Sequence, residues 1–129
     1  MKTLPIKYIK SLDLKYIVHR IVKQSNWDVT PAEEAVRKYK NFLLLHLLYQ
    51  DFKVVPTRAI DLVWHEHILH TQKYMADCNQ IFGAYFHHTP TERPEEEGVD
   101  HSDFIETARL YEKQFREPYG HTFDISIWL

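Results

Sequence analysis

The sequence predicts one all-α domain, a compact bundle of about five helices, and three observations lead to this prediction. The 129 residues, 44% of them hydrophobic and 14% aromatic, can bury one core without staples and leave no room for a second domain. Apolar side chains recur at helical spacing in most of the chain. Residues 61–70, drawn as a helix, are apolar on nearly every side, which is typical of a buried helix.

The first segment of the chain is predicted to be extended, and a helix follows it. Residues 4–10 alternate apolar and polar side chains, which favours a short strand. Residues 123–129 alternate in the same way and are the evident partner, so we expect a small two-stranded ribbon formed by the termini. From Ser11 the apolar spacing becomes helical, and this helix is expected to end near Ser25 and Asn26.

A second helix is predicted from Thr30 to about Tyr49. Thr30 is a suitable N-cap, Pro31 suits the first helical position, and Glu33 completes a capping box. Leucines widen its apolar sector until the helix is largely buried. His46 falls on the inward face and is interpreted as a satisfied core histidine.

The third helix is the buried segment 61–70, with Thr57 as its N-cap. Only Glu66 falls where water is expected. The apolar phase shifts near His70 and Thr71, which predicts a short break there.

Two further helices are predicted in the second half of the chain. Residues 72–85 show an apolar face at helical spacing, and a polar loop is expected at residues 91–101. Ser102 or Asp103 then begins the fifth helix, which residues 117–120 end.

Polar side chains on the third helix predict a functional site. Asp61 and His65, four residues apart, form one cluster, and His67 with His70 forms another. Buried groups of this kind need partners, which could be a metal ion, each other or main-chain groups.

The leading hypothesis is a metal-binding domain, with an enzymatic role left open. Carboxylate, imidazole and thiolate groups are ligands that zinc accepts, so zinc is the first choice and iron the second. His65 and His67 diverge by about 200° around a helix and cannot both reach one ion, so His67 is the reserve ligand. Cys78 or Asp77 of the next helix would complete the site if the two helices pack antiparallel. The predicted ligands are Asp61, His65, His67, Cys78, His87 and His88.

A second hypothesis, of a different class, is a small helical protein-interaction module whose histidines are structural. Asp61 and His65 then share a hydrogen bond inside the core, His70 caps a helix end, and Cys78 is a small core hydrophobe. A Cys-His nucleophile is a further alternative, although no oxyanion-hole loop accompanies it. The candidate contact residues of an interaction module are Tyr119 and Trp128.

Charge and cysteine content exclude several classes of partner. Sixteen basic residues against 18 acidic ones give a formal net charge of −2, which leaves no electrostatic footprint for nucleic acid or an anionic membrane. The single cysteine suits a reducing compartment. No apolar run has the length of a signal peptide or a membrane span. We therefore expect a cytoplasmic domain whose partner is a protein or a small molecule.

The chain resembles the glycine-rich-domain-containing-protein-like family, in particular its small bacterial-type members. The resemblance covers about residues 35–118 and is strongest in segments 55–78 and 81–90. Segment 110–117 is also similar, with Arg116 where the family's glycine usually stands, and the loop at 91–100 departs from the family pattern. The positions that match the family motif are Asp61, Trp64, His65, His67, Tyr74, Asp77, Cys78, Gly83, His87 and His88.

What this resemblance implies is limited to the kind of domain. Its plant members join the domain to other modules linked to stress and development. The family's biochemical role is poorly defined, so the resemblance assigns no catalytic residue and leaves open which motif positions bind a ligand.

Overall fold

The structure, a computed structural model, describes residues 2–88 and 97–120, and of residues 97–101 it describes the backbone only. Every regular element in this part of the chain is a helix, which confirms the all-α prediction with one helix more than expected. The six helices are α1 (Thr3–Ser11), α2 (Lys15–Ser25), α3 (Val29–Leu48), α4 (Arg58–Leu69), α5 (Thr71–Phe82) and α6 (Glu97–Phe115).

Helix α1 replaces the strand predicted at residues 4–10, so that prediction is wrong. Ile6 and Ile9, three residues apart, face the bundle, whereas Leu4 is 77% exposed. Pro5 lies in the first turn, where a missing N–H interrupts no hydrogen bond of the helix. The predicted ribbon is therefore not formed, and its second half, residues 123–129, lies outside the described residues.

Helices α2 and α3 confirm two predicted elements and correct one boundary. Helix α2 ends where expected because Asn26 takes the left-handed conformation, at φ 60°. Helix α3 begins at Val29, ahead of Thr30, and the N-cap position belongs to Asp28, whose side chain forms no capping hydrogen bond. The predicted capping box is therefore wrong.

The predicted start of α4 and the break behind it are confirmed. The side chain of Thr57 accepts a hydrogen bond from the Ile60 backbone N–H at 3.1 Å. Helix α5 follows His70 directly and ends at Gly83, whose φ of 70° favours glycine. Helix α6 begins at Glu97, inside the stretch predicted as a loop.

The chain folds back after α6. Arg116 has a φ of 57°, in the left-handed region that few side chains adopt. Tyr119 then reaches the core, where its hydroxyl donates to the Val55 carbonyl at 2.6 Å. Tyr119 is therefore buried, and its prediction as an exposed contact residue is wrong.

Helix α3 is the central element and packs against α1, α2, α4 and α6, while α4 also packs against α2 and α5. The buried side chains of α3 include Tyr39, Phe42, Leu43 and Leu45. Because α4 lies between α3 and α5, its polar side chains on those sides must find partners inside the protein. None of the described helices combines the length and apolar character needed to cross a membrane.

Candidate functional site

Helix α4 exposes one of its central histidines and buries the other. His65 is exposed, whereas His67, two residues later, is 1% exposed. Glu66, predicted to face water, is buried and forms an ion pair with Arg20 at 3.3 Å. The face of α4 that enters the core is thus the face that carries Glu66 and His67, because α2 covers the side that the apolar pattern leaves open.

His67 belongs to a buried chain of hydrogen bonds, here called the His67 network, which consists of Tyr8, Tyr39, His67 and Asp77. Burial raises the pKa of Tyr39 well above its ordinary value, so its hydroxyl keeps its proton and donates to His67 Nδ1 at 2.6 Å. The ring proton then resides on Nε2, which donates to Asp77 Oδ2 at 2.7 Å. The network leaves neither ring nitrogen of His67 free.

Tyr8 of α1 closes the other end of the His67 network. Its hydroxyl donates to Asp77 Oδ1 at 2.7 Å. Burial first, and the contact with Asp77 second, raise the pKa of Tyr8 to about 12. The network therefore joins α1, α3, α4 and α5 through side chains alone.

A second buried chain of hydrogen bonds holds the segment that follows α5. Trp64 Nε1 donates to the Tyr74 hydroxyl at 2.8 Å, and that hydroxyl donates to the Phe86 carbonyl at 2.5 Å. Cys78 is buried beside this chain, and burial raises the pKa of its thiol. Cys78 thus packs as a small side chain of the core.

His88 binds Asp61 and covers Trp64. Its Nε2 donates to Asp61 Oδ1 at 2.5 Å, and its ring stacks on the indole at a centroid distance of 4.0 Å and an angle of 3°. Asp61 keeps 49% of its side chain exposed. The hydrogen bond expected between Asp61 and His65 is not formed, since His88 takes that place.

His70 and His46 differ in whether their ring nitrogens have hydrogen-bond partners. His70 Nδ1 donates to the Glu66 carbonyl at 2.9 Å, which confirms its prediction as a helix-end cap. His46 stacks on Phe86 at 3.8 Å, but its Nδ1 is buried and has no hydrogen-bond partner among the described residues. The prediction of a satisfied core histidine is therefore wrong for His46, whose pKa burial lowers to about 4.

The six predicted metal ligands are divided among several different surroundings. Asp61 pairs with His88, whereas His67 and Cys78 are enclosed in the core. His65 is exposed, and His87 packs its ring against Tyr85. Within residues 2–88 and 97–120, no group of three His, Cys, Asp or Glu side chains is placed to hold a metal ion.

An open groove of about 920 Å³ lies between the first turns of α3 and α4, and we call it the α3–α4 groove. Trp27, Pro31 and Leu62 are among its apolar lining residues, and Tyr119 and Gly120 line it as well. Its charged or titratable lining residues are Glu34, Lys38, Arg58, Asp61 and His65. Two predicted ligands, Asp61 and His65, are thus brought to one surface, but as parts of a groove wall.

The charges in the α3–α4 groove are unevenly compensated. Glu34 binds the Arg37 guanidinium at 2.7 Å, and Asp61 binds His88. In contrast, Arg58 and His65 have no hydrogen-bonded or charged partner in the part of the chain that the structure describes. The groove therefore offers the Arg58 guanidinium as a cationic hydrogen-bond donor without an acidic partner among the described residues, and the His65 imidazole lines the same groove.

Sequence reasoning did not identify the groove or the role of Tyr39. The α3–α4 groove joins residues from three distant parts of the chain, and no local pattern marks such a surface. Tyr39 lies on the apolar face of α3, where periodicity predicts packing but gives no sign of a hydroxyl aimed at His67. The available signal was Asp77, ten residues after His67, which the sequence already placed among the motif positions.

Comparison with known proteins finds relatives across most of the chain. A family model described as UCP032817-like matches residues 6–121. Glycine-rich domain-containing protein 1 of Arabidopsis thaliana is 32% identical over 92 residues, which cover 67% of this chain and 11% of the plant protein. Glycine-rich domain-containing protein 2 of the same plant is 33% identical over 92 residues, which cover 67% of this chain and 12% of the plant protein. No solved structure matches the chain significantly. The predicted resemblance is confirmed, and the chain spans about a tenth of the length of these curated relatives.

Proposed function

We propose that this chain, which belongs to the UCP032817-like family, is a helical protein-interaction module whose α3–α4 groove binds a peptide segment with apolar and acidic side chains. The observation that carries the proposal is the lining of the groove. Its walls are apolar, and Arg58 and His65 stand uncompensated among the described residues of its lining. A partner that brings a carboxylate together with apolar side chains would satisfy both features.

The use of the histidines supports the same proposal. Both ring nitrogens of His67 and the Nδ1 atom of His70 form hydrogen bonds inside the domain, and His46 is stacked in an aromatic cluster. Side chains engaged in this way stabilise the bundle and are poorly placed for chemistry on a substrate. The size of the relatives fits as well, because a region that makes up 11% or 12% of a longer protein can serve it as a binding unit.

Selection of peptides from a displayed random library on the purified chain tests the proposal. We expect the enriched peptides to share apolar residues and at least one acidic residue. Arg58→Glu should weaken their binding about tenfold, which corresponds to about 1.4 kcal/mol, because it reverses the charge that meets the peptide carboxylate.

Lys23→Glu is the matched control, since Lys23 is an exposed cation of α2 outside the groove. This variant has the same net charge as Arg58→Glu and should bind the selected peptides with unchanged affinity. Equal losses in both variants would show that total charge, and not the groove, governs binding. A library that yields no enriched peptide would also contradict the proposal.

Metal binding is the second candidate function, and one contact favours it. Asp61 and His88, two of the predicted ligands, lie 2.5 Å apart, and His65 follows Asp61 by one turn of α4. A rotation of exposed side chains could bring these three groups to one ion, with zinc as first choice and iron as second. The side chains of His67 and Cys78 would not take part.

Elemental mass spectrometry of the untagged, purified chain tests this second candidate. A metal site at Asp61 would give about one equivalent of metal, which His65→Ala and His88→Ala should each reduce. His19→Ala, which alters an exposed histidine of α2, is the control and should leave the metal content unchanged. Metal content that is equal in all variants, or protein that takes up no metal, would rule this site out.

A further inference from the structure

We infer that the partner segment enters the α3–α4 groove as an amphipathic helix, whose apolar face packs against α3 and α4 and whose acidic side chain meets Arg58. The inference rests on the proposed function, because it takes the groove to be a binding surface, and it adds the conformation of the bound segment. It is supported by the spacing of the lining residues, by the hydrogen bonds of the backbone around the groove, and by the charges of the lining.

Both helices line the groove at helical spacing. The lining residues of α3 are Pro31, Glu34, Ala35 and Lys38, and those of α4 include Arg58, Asp61, Leu62 and His65. Each set follows the spacing i, i+3, i+4 and i+7, so each helix turns one face toward the groove over two turns. Seven residues extend about 10 Å along a helix, at about 1.5 Å per residue. Two such faces form a groove into which the side chains of a third helix can pack.

The described backbone around the groove is largely engaged in hydrogen bonds within the domain. Away from their first and last turns, α3 and α4 pair their N–H and C=O groups inside the helix. The Thr57 carbonyl accepts from the Asp61 N–H at 2.8 Å. The Tyr119 N–H donates to the Glu112 carboxylate at 3.2 Å, and its carbonyl accepts from Lys38 at 3.1 Å. An extended segment would find few main-chain partners here, whereas a helix pairs its backbone groups internally.

Apolar side chains of the groove keep exposed surface that a helix could bury. Trp27, Ala59 and Leu62 pack against the core and are only partly buried. Ala35 of α3 and Ala59 of α4 are small, and the distance at which two helices pack depends on the size of the side chains between them. A partner helix can therefore come close to both, and the burial of this apolar surface would drive its docking.

The charges of the groove select an acidic side chain on the partner helix. Arg58 is exposed and has no acidic partner among the described residues. The acids of the lining have partners of their own, because Glu34 binds Arg37 and Asp61 binds His88. A glutamate or aspartate beside the apolar face of the partner helix would therefore pair with Arg58, and a lysine at the same place would be repelled.

Two displayed peptide libraries, each screened on the purified full chain, test the inference. The first varies positions i, i+3, i+4 and i+7 on an alanine-based helical frame. The second has the same length and carries a proline at every third position, which prevents a helix. We expect the first library to yield peptides with apolar residues at three of the varied positions and an acidic residue at the fourth. The second library should yield no binder.

Proline substitutions in a selected peptide report its bound conformation. Proline at the centre should weaken binding at least about tenfold, because it removes a helical hydrogen bond and clashes with the preceding turn. Proline at the first helical position is the control and should leave the affinity unchanged, since no helical hydrogen bond is lost there. Circular dichroism of the mixture, after subtraction of the free chain, should show that the peptide gains helix on binding.

Variants of the chain locate the bound helix. Ala59→Leu fills part of the groove and should weaken binding about tenfold, whereas Ala76→Leu, at an exposed position of α5 outside the groove, should not. Arg58→Glu should also weaken binding about tenfold. A peptide whose acidic residue is replaced by lysine should bind the Arg58→Glu chain better than it binds the unchanged chain. Circular dichroism of each variant alone shows whether it is folded.

The outcomes separate this inference from the proposed function. If the proline-containing library yields binders at least as tight as those of the helical library, and Arg58→Glu weakens them, the helix is wrong and the interaction module stands. If no library, the random one included, yields a peptide whose binding depends on Arg58, both proposals are overturned. If helical peptides bind, lose affinity with a central proline and follow the charge exchange at Arg58, both are supported.

Discussion

At the scale of single residues, His67 shows how a buried histidine is held by hydrogen bonds at both of its ring nitrogens. Its two ring nitrogens have different partners, a phenol on one side and a carboxylate on the other, at 2.6 and 2.7 Å. Both partners are buried, and Asp77 also accepts a hydrogen bond from the Tyr8 hydroxyl. Removal of the imidazole would leave a hydroxyl and a carboxylate without their shared partner in a core that excludes water.

We expect His67→Ala to lower the free energy of unfolding by about 3 kcal/mol, since it combines a cavity with unsatisfied buried groups. Urea denaturation at neutral pH measures the change. His65→Ala, two residues away on the exposed side of α4, is the control and should change stability by less than about 0.5 kcal/mol. Similar losses in the two variants would mean that the His67 network contributes little.

His46 gives a prediction about pH. The unfolded chain has histidines of ordinary pKa, 6.5, and binds a proton below that pH, whereas burial holds the pKa of folded His46 near about 4. The contribution of neutral His46 to stability is thus complete above pH 6.5 and is lost as the pH falls from about 6.5 to about 4.

His46→Phe should weaken this pH dependence, because phenylalanine does not titrate and keeps the stacking on Phe86. The variant should also be more stable at pH 7 by about 1 kcal/mol, since it removes a buried nitrogen that has no partner among the described residues. Thermal unfolding at several pH values between 4 and 7 measures both effects. Parallel stability curves for the two proteins would contradict the assignment.

At the scale of elements, the backbone at Val55, ahead of α4, forms hydrogen bonds with α6 and with the turn that follows α6. The Val55 N–H donates to the Thr107 hydroxyl at 3.0 Å, and the Val55 carbonyl accepts from Tyr119. Thr107 also donates to the Asp103 carbonyl at 2.7 Å. One buried hydroxyl thus fixes the approach to the N-cap at Thr57.

We expect Thr107→Val to destabilise the protein by about 1–2 kcal/mol, because an isosteric methyl group leaves the buried Val55 N–H unpaired. Thr107→Ser keeps the hydroxyl and loses only the methyl group, so it should cost less. Chemical denaturation of both variants compares the loss of the hydrogen bond with the loss of the methyl packing. A larger loss in the serine variant would show that packing, and not the hydrogen bond, holds this junction.

The helices themselves could largely be predicted from the sequence, because the periodicity of the core is a local property. The helix end at Asn26 and the N-cap at Thr57 follow from single residues whose conformational preferences are strong. The residues of α1 alternate over too short a span to separate a strand from a helix, and the packing of Ile9 decided the outcome. The faces of α4 could not be predicted, because the burial of Glu66 depends on Arg20, 46 residues earlier.

At the scale of the whole molecule, the bundle is organised around α3. This helix packs against four others, so its amides should be released to solvent only when the bundle unfolds. Helix α1 begins with an exposed leucine and should open more readily. Hydrogen exchange followed by mass spectrometry should therefore show the slowest exchange in α3 and faster exchange in the first turn of α1. Equal protection of both would contradict this hierarchy.

The candidate site also depends on how the whole molecule is packed. The sequence therefore predicted some of its residues but did not predict that they line a groove. Asp61 and His65 were predicted as a pair and do line one surface. Trp27 and Gly120 line the same groove, although they lie far from Asp61 and His65 in the sequence, so the groove depends on how the helices pack. His88 meets Asp61 for a similar reason, because the chains of hydrogen bonds through Tyr74 fix where residues 84–88 return.

The turn at Arg116 has a consequence for how relatives of this chain are compared. Its φ of 57° is a geometry that glycine adopts without cost. The resemblance described in the sequence analysis implies a glycine at this place in the family. Arginine and glycine are chemically dissimilar, yet both can adopt this backbone conformation. An alignment that penalises the exchange would misplace the turn that carries the chain to Tyr119, so position 116 is better matched by backbone conformation than by residue type.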